Sequence, residues 1–329
     1  MMRDDRLIGR RYLLTGAATL GIAAGSGMFG NAAVAATFPD RPISLIIPFG
    51  TGGDFDVYGR EFAHLMESEL QPHAFVEPVN MPGAGGREAI FGLLRDQPDG
   101  YNISMVSIPG IFMGDNKKSN ADFDLDSLTW LANLGRDPYA LAVSVKSQFY
   151  KVADLQNASK TREVTFSNSG FASSGYLATR AFCTVTGIRC KIVSGYKGSS
   201  DSMVAVIRND VDAVVHSLAT LQEMEKSGFL RIIFVFEPKS SLPGVEDAAA
   251  LHTPDLGQIF QWRPVAGPPG LPAGISAKIS KALLKAAASP QAAAWARKVG
   301  ATLYPLDQAQ TLQMAKAQEA LVNRWRYAL

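Results

Sequence analysis

Two strand-to-helix turns carry the residues best suited to chemistry. In "IIPFGTGGDFD", Gly50, Gly52 and Gly53 follow an apolar run, and Asp54 or Asp56 stands where it can cap a helix beginning near Val57. In "FSNSGFASSGYLA", Ser167, Ser169, Gly170, Ser173 and Ser174 follow a second apolar run, and a helix begins about Tyr176. The first turn of a helix leaves backbone N–H groups without intrahelical partners and carries partial positive charge, so small residues and hydroxyls there suit an anion. One such turn is common in α/β folds. Two of them, in separate α/β units, suggest a carboxylate held between two lobes. A third small-residue loop, "MPGAGGREA" over Met81 to Ala89, reads equally well as a tight entry into a helix with no ligand.

The elements that must position these turns follow from periodicity. Short β-branched or apolar runs at Ile43–Phe49, His73–Val79, Tyr101–Ser107, Tyr139–Val145, Glu163–Ser167, Lys191–Ser194, Asp212–Ser217 and Leu230–Phe236 read as buried strands. Helical periods lie between them, at about Asp56–Leu70, Arg87–Arg95, Gly175–Thr186, Ser199–Arg208 and Thr220–Ser227. This alternation predicts mainly parallel sheets with helices on both faces. The C-terminal part reads as helices over Ser276–Ala288, Ser289–Val299 and a long segment capped by Asp307.

Length and charge narrow the functions. The chain has 329 residues, 47% of them hydrophobic, with 32 Lys+Arg against 30 Asp+Glu. That is enough for two lobes with their own cores, and it excludes a disordered or fibrous chain. The two excess positive charges lie before residue 36, where Arg3, Arg6, Arg10 and Arg11 outnumber Asp4 and Asp5. The remaining body is formally neutral and lacks a basic run, which argues against nucleic acid as a partner.

Arg10-Arg11 precedes a stretch of apolar and small residues that closes with Ala33-Val34-Ala35, the pattern of a signal-peptidase site. Residues 1–35 are therefore expected to be a twin-arginine-like export signal cleaved near Ala35, although Gly9 and Leu13 depart from that route's usual residues and leave the general secretory route open. The apolar part is too short and glycine-rich for a membrane anchor. Cys183 and Cys190 then face two readings: a small disulfide formed in an oxidising space, or two buried thiols. With four scattered histidines and no C-x-x-C or H-E-x-x-H, neither a metal nor a cofactor is expected.

Four ordered blocks resemble the tripartite tricarboxylate transporter substrate-binding proteins, the Bug family. They are the proline-flanked glycine loop ending in Asp56, the Asn80-x-Pro82-Gly83-Ala84-Gly85-Gly86 block followed by Pro98-Asp99-Gly100-Tyr101, the Tyr196-Lys197-Gly198 step, and Pro268-x-Gly270-x-Pro272 before the C-terminal helices. The resemblance covers essentially the whole chain after the signal. It implies a two-lobed, type II-like periplasmic binding protein joined by two crossing strands. Lobe 1 would comprise residues 36–142 and 232–329, and lobe 2 residues 143–231. It also implies that Phe49, Gly50, Thr51, Gly52, Gly53, Phe55 and Asp56 of the first loop, with Ser169, Phe171, Ala172, Ser173, Ser174 and Tyr176 of the second, hold the ligand. Ser107, His216 and Ser217 would line the cleft from the sides.

Three departures bear on the ligand. Asp54 stands where a small hydroxyl residue is usual, Tyr176 where His is common, and His216 where Asp is common. Asp54 is expected to serve as a helix cap; facing the cleft it would repel an acid or favour an amino group. Phe55 and Phe171 could cover an aromatic body.

The expected function is capture of a small organic acid for membrane permease subunits, by a monomer without a cofactor. A sensor subunit feeding a two-component system would use the same closed form. A serine hydrolase would need a base near its nucleophile. There is no G-x-S-x-G elbow, and only His216 opposite Ser173 or Ser174 could supply that base, so the chain is not expected to be an enzyme.

Overall fold

The computed structural model describes residues 38–70, 74–114 and 125–326; the expected export signal lies outside them. The chain forms β1 (Ile43–Ile47), α1 (Asp54–Leu70), β2 (Val76–Asn80), α2 (Arg87–Leu93), β3 (Asn102–Met105) and the long β4 (Thr129–Ser144). The middle of the chain adds α3 (Val152–Ser159), β5 (Val164–Asn168), α4 (Ser174–Thr186), β6 (Cys190–Ser194), α5 (Ser199–Ile207), β7 (Ala213–Ser217), α6 (Leu218–Lys226) and β8 (Leu230–Val235). It ends with β9 (Phe260–Gly267), α7 (Ala273–Ala287), α8 (Pro290–Val299), β10 (Leu303–Leu306) and α9 (Gln308–Arg324).

The sheet has two halves with one plan. The first half runs β2-β1-β3-β9-β4, and the second runs β6-β5-β7-β4 with β8 on the far side of β4. In both, the first strand lies parallel between the second and third, and antiparallel partners follow. The parallel pairing expected from the alternation is thus confined to the outer strands. The centre is antiparallel because β4, β8 and β9 carry the chain between the halves. Along β4, residues Thr129 to Pro138 pair with β9, whereas Tyr139 to Val143 pair with β7.

Side-chain periodicity explains the flanking helices. On α1, Phe55, Tyr58, Phe62, Met66 and Leu70 recur every three or four positions, and all are buried. Burying each such side chain contributes about 1.5–3 kcal/mol. α8 begins at Ser289, whose hydroxyl accepts from the Ala292 N–H, with Pro290 as its first residue. Asp307 and Gln310 form a reciprocal capping box at the start of α9. Trp295 packs edge-on against Tyr58, and Trp325 is buried, so both belong to the core. Cys183 at the end of α4 and Cys190 at the start of β6 are joined by a disulfide. No helix among the described residues is long and apolar enough to cross a membrane.

Candidate functional site

The shared plan of the two halves places the two small-residue turns at equivalent positions, each after the first strand of its half. The strand order reverses there, and in open α/β sheets such a switch point leaves a crevice at the carboxyl ends of the strands. The two turns do not meet each other. The β1–α1 turn meets the start of α5: the Gly50 N–H donates to the Lys197 carbonyl at 2.8 Å, the Ser200 hydroxyl to the Gly52 carbonyl at 2.7 Å, and the Asp54 N–H to Ser199 Oγ at 3.1 Å. The β5–α4 turn meets the β2–α2 loop and the segment after β3. A Cβ on Gly85 would lie 2.7 Å from the Ser173 nitrogen, and one on Gly110 would lie 2.1 Å from the Ser174 nitrogen. The "MPGAGGREA" loop is therefore part of the contact between the halves.

Asp56 shapes the first turn from inside it. Its carboxylate accepts from the Gly52 N–H and from Asn80 Nδ2, both at 2.8 Å, and pairs with Arg60 Nε at 2.9 Å. Asn80 also donates to the Phe49 carbonyl. Gly52 sits at φ 76, a conformation that suits glycine. Burial pushes the Asp56 carboxyl up, but the hydrogen bonds from Arg60, the Gly52 N–H and Asn80 outweigh it and hold its pKa below the usual 3.8.

Between the halves lies a polar cavity of about 30 Å3. It is lined by Phe49, Asp54, Phe55, Ser107 and Gln261 from the first half, and by Ser167, Asn168, Ser169, Ser173, Ser174, Gly175, Gly198, Ser199, Ser202, Val214, Val215 and His216 from the second. Three helix N-termini converge on it: α1 at Asp54 and Phe55, α4 at Ser173 to Gly175, and α5 at Gly198 and Ser199. The N-cap of α5 is Gly198, which has no side chain to cap the first-turn N–H groups of that helix. Ser174 Oγ lies 3.1 Å from Ser107 Oγ and accepts from the Gly110 N–H at 2.8 Å. The Tyr139 hydroxyl donates to Gln261 Oε1, which leaves the amide NH2 of Gln261 as a donor.

The floor of the cleft is ionic. Arg263, on β9, is 1% exposed; its Nη2 lies 2.9 Å from Asp54 Oδ2 and its Nη1 2.6 Å from Asp137 Oδ2. The guanidinium carbon sits 4.2 Å from the centre of the Tyr58 ring. Burial disfavours its charge, yet the carboxylates of Asp137 and Asp54 hold its pKa above the ordinary value. Burial holds the His216 imidazole below its ordinary 6.5, against the pull of Asp54. Asp54 is thus the first residue of α1 rather than its cap, and its carboxylate turns inward to Arg263 and His216.

Of the residues singled out in the sequence, the structure brings Phe49, Phe55, Ser107, Ser169, Ser173, Ser174 and His216 to this cavity. Gly50, Thr51, Ala172, Tyr176 and Ser217 do not line it, and neither does Asp56. Gly52 and Gly53 line a second, larger and mainly apolar cavity of about 360 Å3 on the other side of Asp54 and Arg263. Phe171 is 45% exposed, packs edge-on against Tyr176 and does not line this cavity. Ser217 hydrogen-bonds Thr220 instead. Asn168, Ser199, Ser202, Gln261 and Arg263 were not legible as site residues. The small-residue run Gly198-Ser199-Ser200 ahead of an apolar period is the signal that could have found the third helix terminus.

The hydrolase arrangement is not assembled. Ser173 Oγ donates to Asn168 Oδ1 at 2.7 Å, and Ser174 is engaged by Ser107 and Gly110. Among the described residues neither hydroxyl is hydrogen-bonded to His216, whose Nε2 faces Asp54. The described residues also contain no group of three His, Cys, Asp or Glu able to hold a metal ion.

Comparison with known proteins places this geometry in context. The sequence pattern of the tripartite tricarboxylate transporter family receptor matches residues 59–327. BugT of Bordetella pertussis is 28% identical over 240 residues, 71% of this chain and 72% of that protein. A UPF0065 protein from the gbd 5' region of Cupriavidus necator is 28% identical over 239 residues, 70% and 71% of the two chains. Among solved structures, the periplasmic binding protein BugD superposes with a TM-score of 0.81 at 20% identity, over 88% of this chain and 98% of its own. MatC of Rhodopseudomonas palustris, solved with bound malate, superposes with a TM-score of 0.79 at 19% identity, over 88% and 99%. These structural likenesses establish the two-lobed fold.

Proposed function

Because the chain belongs to the tripartite tricarboxylate transporter receptor family, we propose that it is a periplasmic solute-binding protein that captures a small organic acid between its lobes and presents it to the membrane subunits of such a transporter. The observation that carries this reading is the convergence of three helix N-termini and the hydroxyls of Ser107, Ser173, Ser174 and Ser199 on one polar cavity. The ends of α4 and α5 contribute partial positive charge and oriented N–H donors, which together compensate a carboxylate removed from water. In this reading the middle segment, expected over residues 143–231, is the lobe that closes. The acid binds the closed form better because only there do donors from both lobes reach it.

A thermal-shift screen of the chain from Ala36 onward tests this directly. A small carboxylic acid is expected to raise the melting temperature in a concentration-dependent way. No response to any acid, beside a response to a neutral or cationic solute, contradicts the reading.

A further inference from the structure

One pair in the cavity stands at a spacing that fits a bridging oxygen. Nε2 of His216 lies 4.0 Å from Oδ1 of Asp54, and both residues line the polar cavity. At that separation the two atoms are too far apart for a hydrogen bond to each other. An oxygen placed about 2.8 Å from both would subtend about 90° between them, close to the angle at which a hydroxyl both accepts and donates.

The direction of each bond is fixed by neighbours. The Ser217 N–H donates to Nδ1 of His216 at 2.8 Å, so Nδ1 carries the lone pair and the neutral ring holds its proton on Nε2. His216 therefore donates toward the gap. Oδ2 of Asp54 is taken by Arg263 at 2.9 Å, so Asp54 presents Oδ1 as an acceptor. A group that fills the gap must accept from His216 and donate to Asp54. A hydroxyl does both, as a water molecule does, so a ligand hydroxyl here takes the place of a bridging water. An ammonium has no lone pair to offer the imidazole N–H, and a methylene satisfies neither residue.

We infer that the ligand is a hydroxy acid, with its hydroxyl bridging His216 Nε2 and Asp54 Oδ1 while its carboxylate meets the helix N-termini at Ser174 and Ser199. The inference rests on the carboxylate reading of the same cavity and adds the substituent that distinguishes one acid from another. It also reverses the expectation that an inward Asp54 would favour an amino group, because His216 faces the same point with a donor.

Titration calorimetry of the wild-type protein against matched sets tests it: glycolate, acetate and glycine; lactate, propionate and alanine; malate, succinate and aspartate, with both enantiomers of each chiral acid. In at least one set the hydroxy acid is expected to bind at least tenfold more tightly than its deoxy and amino counterparts, since a buried polar pair left without its partner weakens the competing complexes. His216→Leu is expected to bring the hydroxy acid down to the affinity of the deoxy acid, and His216→Gln, which keeps a donor, to preserve part of the preference. A deoxy or amino acid binding as tightly as the hydroxy acid overturns the inference and leaves the carboxylate site standing. Absence of binding by every acid overturns both.

Discussion

Oδ2 of Asp54 lies 2.9 Å from Nη2 of Arg263, so the first residue of α1 is tied to β9 across the floor of the cleft. Arg263 also holds Asp137 on β4. Removing the guanidinium leaves two carboxylates without their cation in a nearly dry environment. Arg263→Met is expected to cost about 3–5 kcal/mol, the usual penalty for breaking a buried ion pair from one side. Adding Asp54→Asn and Asp137→Asn to that variant is expected to recover part of the loss. Urea unfolding at neutral pH measures both.

Closure can be separated from folding at Gly110. A side chain there would enter the backbone of Ser173 and Ser174 in the opposite lobe, with a Cβ 2.1 Å from the Ser174 nitrogen. Backbone cannot rotate aside as a flexible side-chain end can. Gly110→Ala is therefore expected to hold the lobes apart and to weaken acid binding by at least a hundredfold. Its melting temperature without ligand should fall far less than that of Arg263→Met. Calorimetry and small-angle scattering report the two effects independently.

The disulfide between Cys183 and Cys190 closes a short loop away from the cavity. By loop-entropy reasoning its removal is expected to destabilise the fold by about 2.5 kcal/mol. The double variant Cys183→Ser/Cys190→Ser should unfold at lower urea concentration while its acid affinity stays within about threefold of wild type.

Acid sensitivity has named sources. Burial pushes the Asp212 carboxyl up, but bonds from Arg162 and from the Thr165 N–H and hydroxyl outweigh it, and its pKa falls below the usual 3.8, as that of Asp56 does. Groups with a depressed folded-state pKa contribute stability that is complete above the unfolded value and is lost as pH falls through the folded one. Melting temperature is thus expected to drop below about pH 4. Asp56→Asn and Asp212→Asn should each start lower at neutral pH and show a shallower acid slope, checked by thermal melts across that range.

The alternation of apolar runs with helical periods made most strands and helices legible, from Ile43 through Lys226. The centre of the sheet was not. Of β4, only the part within Tyr139–Val145 is among the expected strands; its first half contains Gly135, Arg136, Asp137 and Pro138, which bulges in its pairing with β9 accommodate. β9 is absent from the expected strands, since Gln261 and Arg263 interrupt its apolar residues. Those two polar side chains point to partners, Tyr139 for one and Asp54 with Asp137 for the other, that are distant in sequence. For the same reason the serine-rich turns could be picked out locally, while the ionic floor and the α5 terminus depend on how the two halves meet.

The most direct measurement is a crystal structure of the chain with the acid that gives the largest thermal shift. The account requires a carboxylate oxygen within about 3 Å of the backbone N–H groups at Ser174 or Gly175 and at Ser199. A ligand seated instead in the larger apolar cavity between Val57 and Val204, with the serine-lined cavity unchanged, would contradict it.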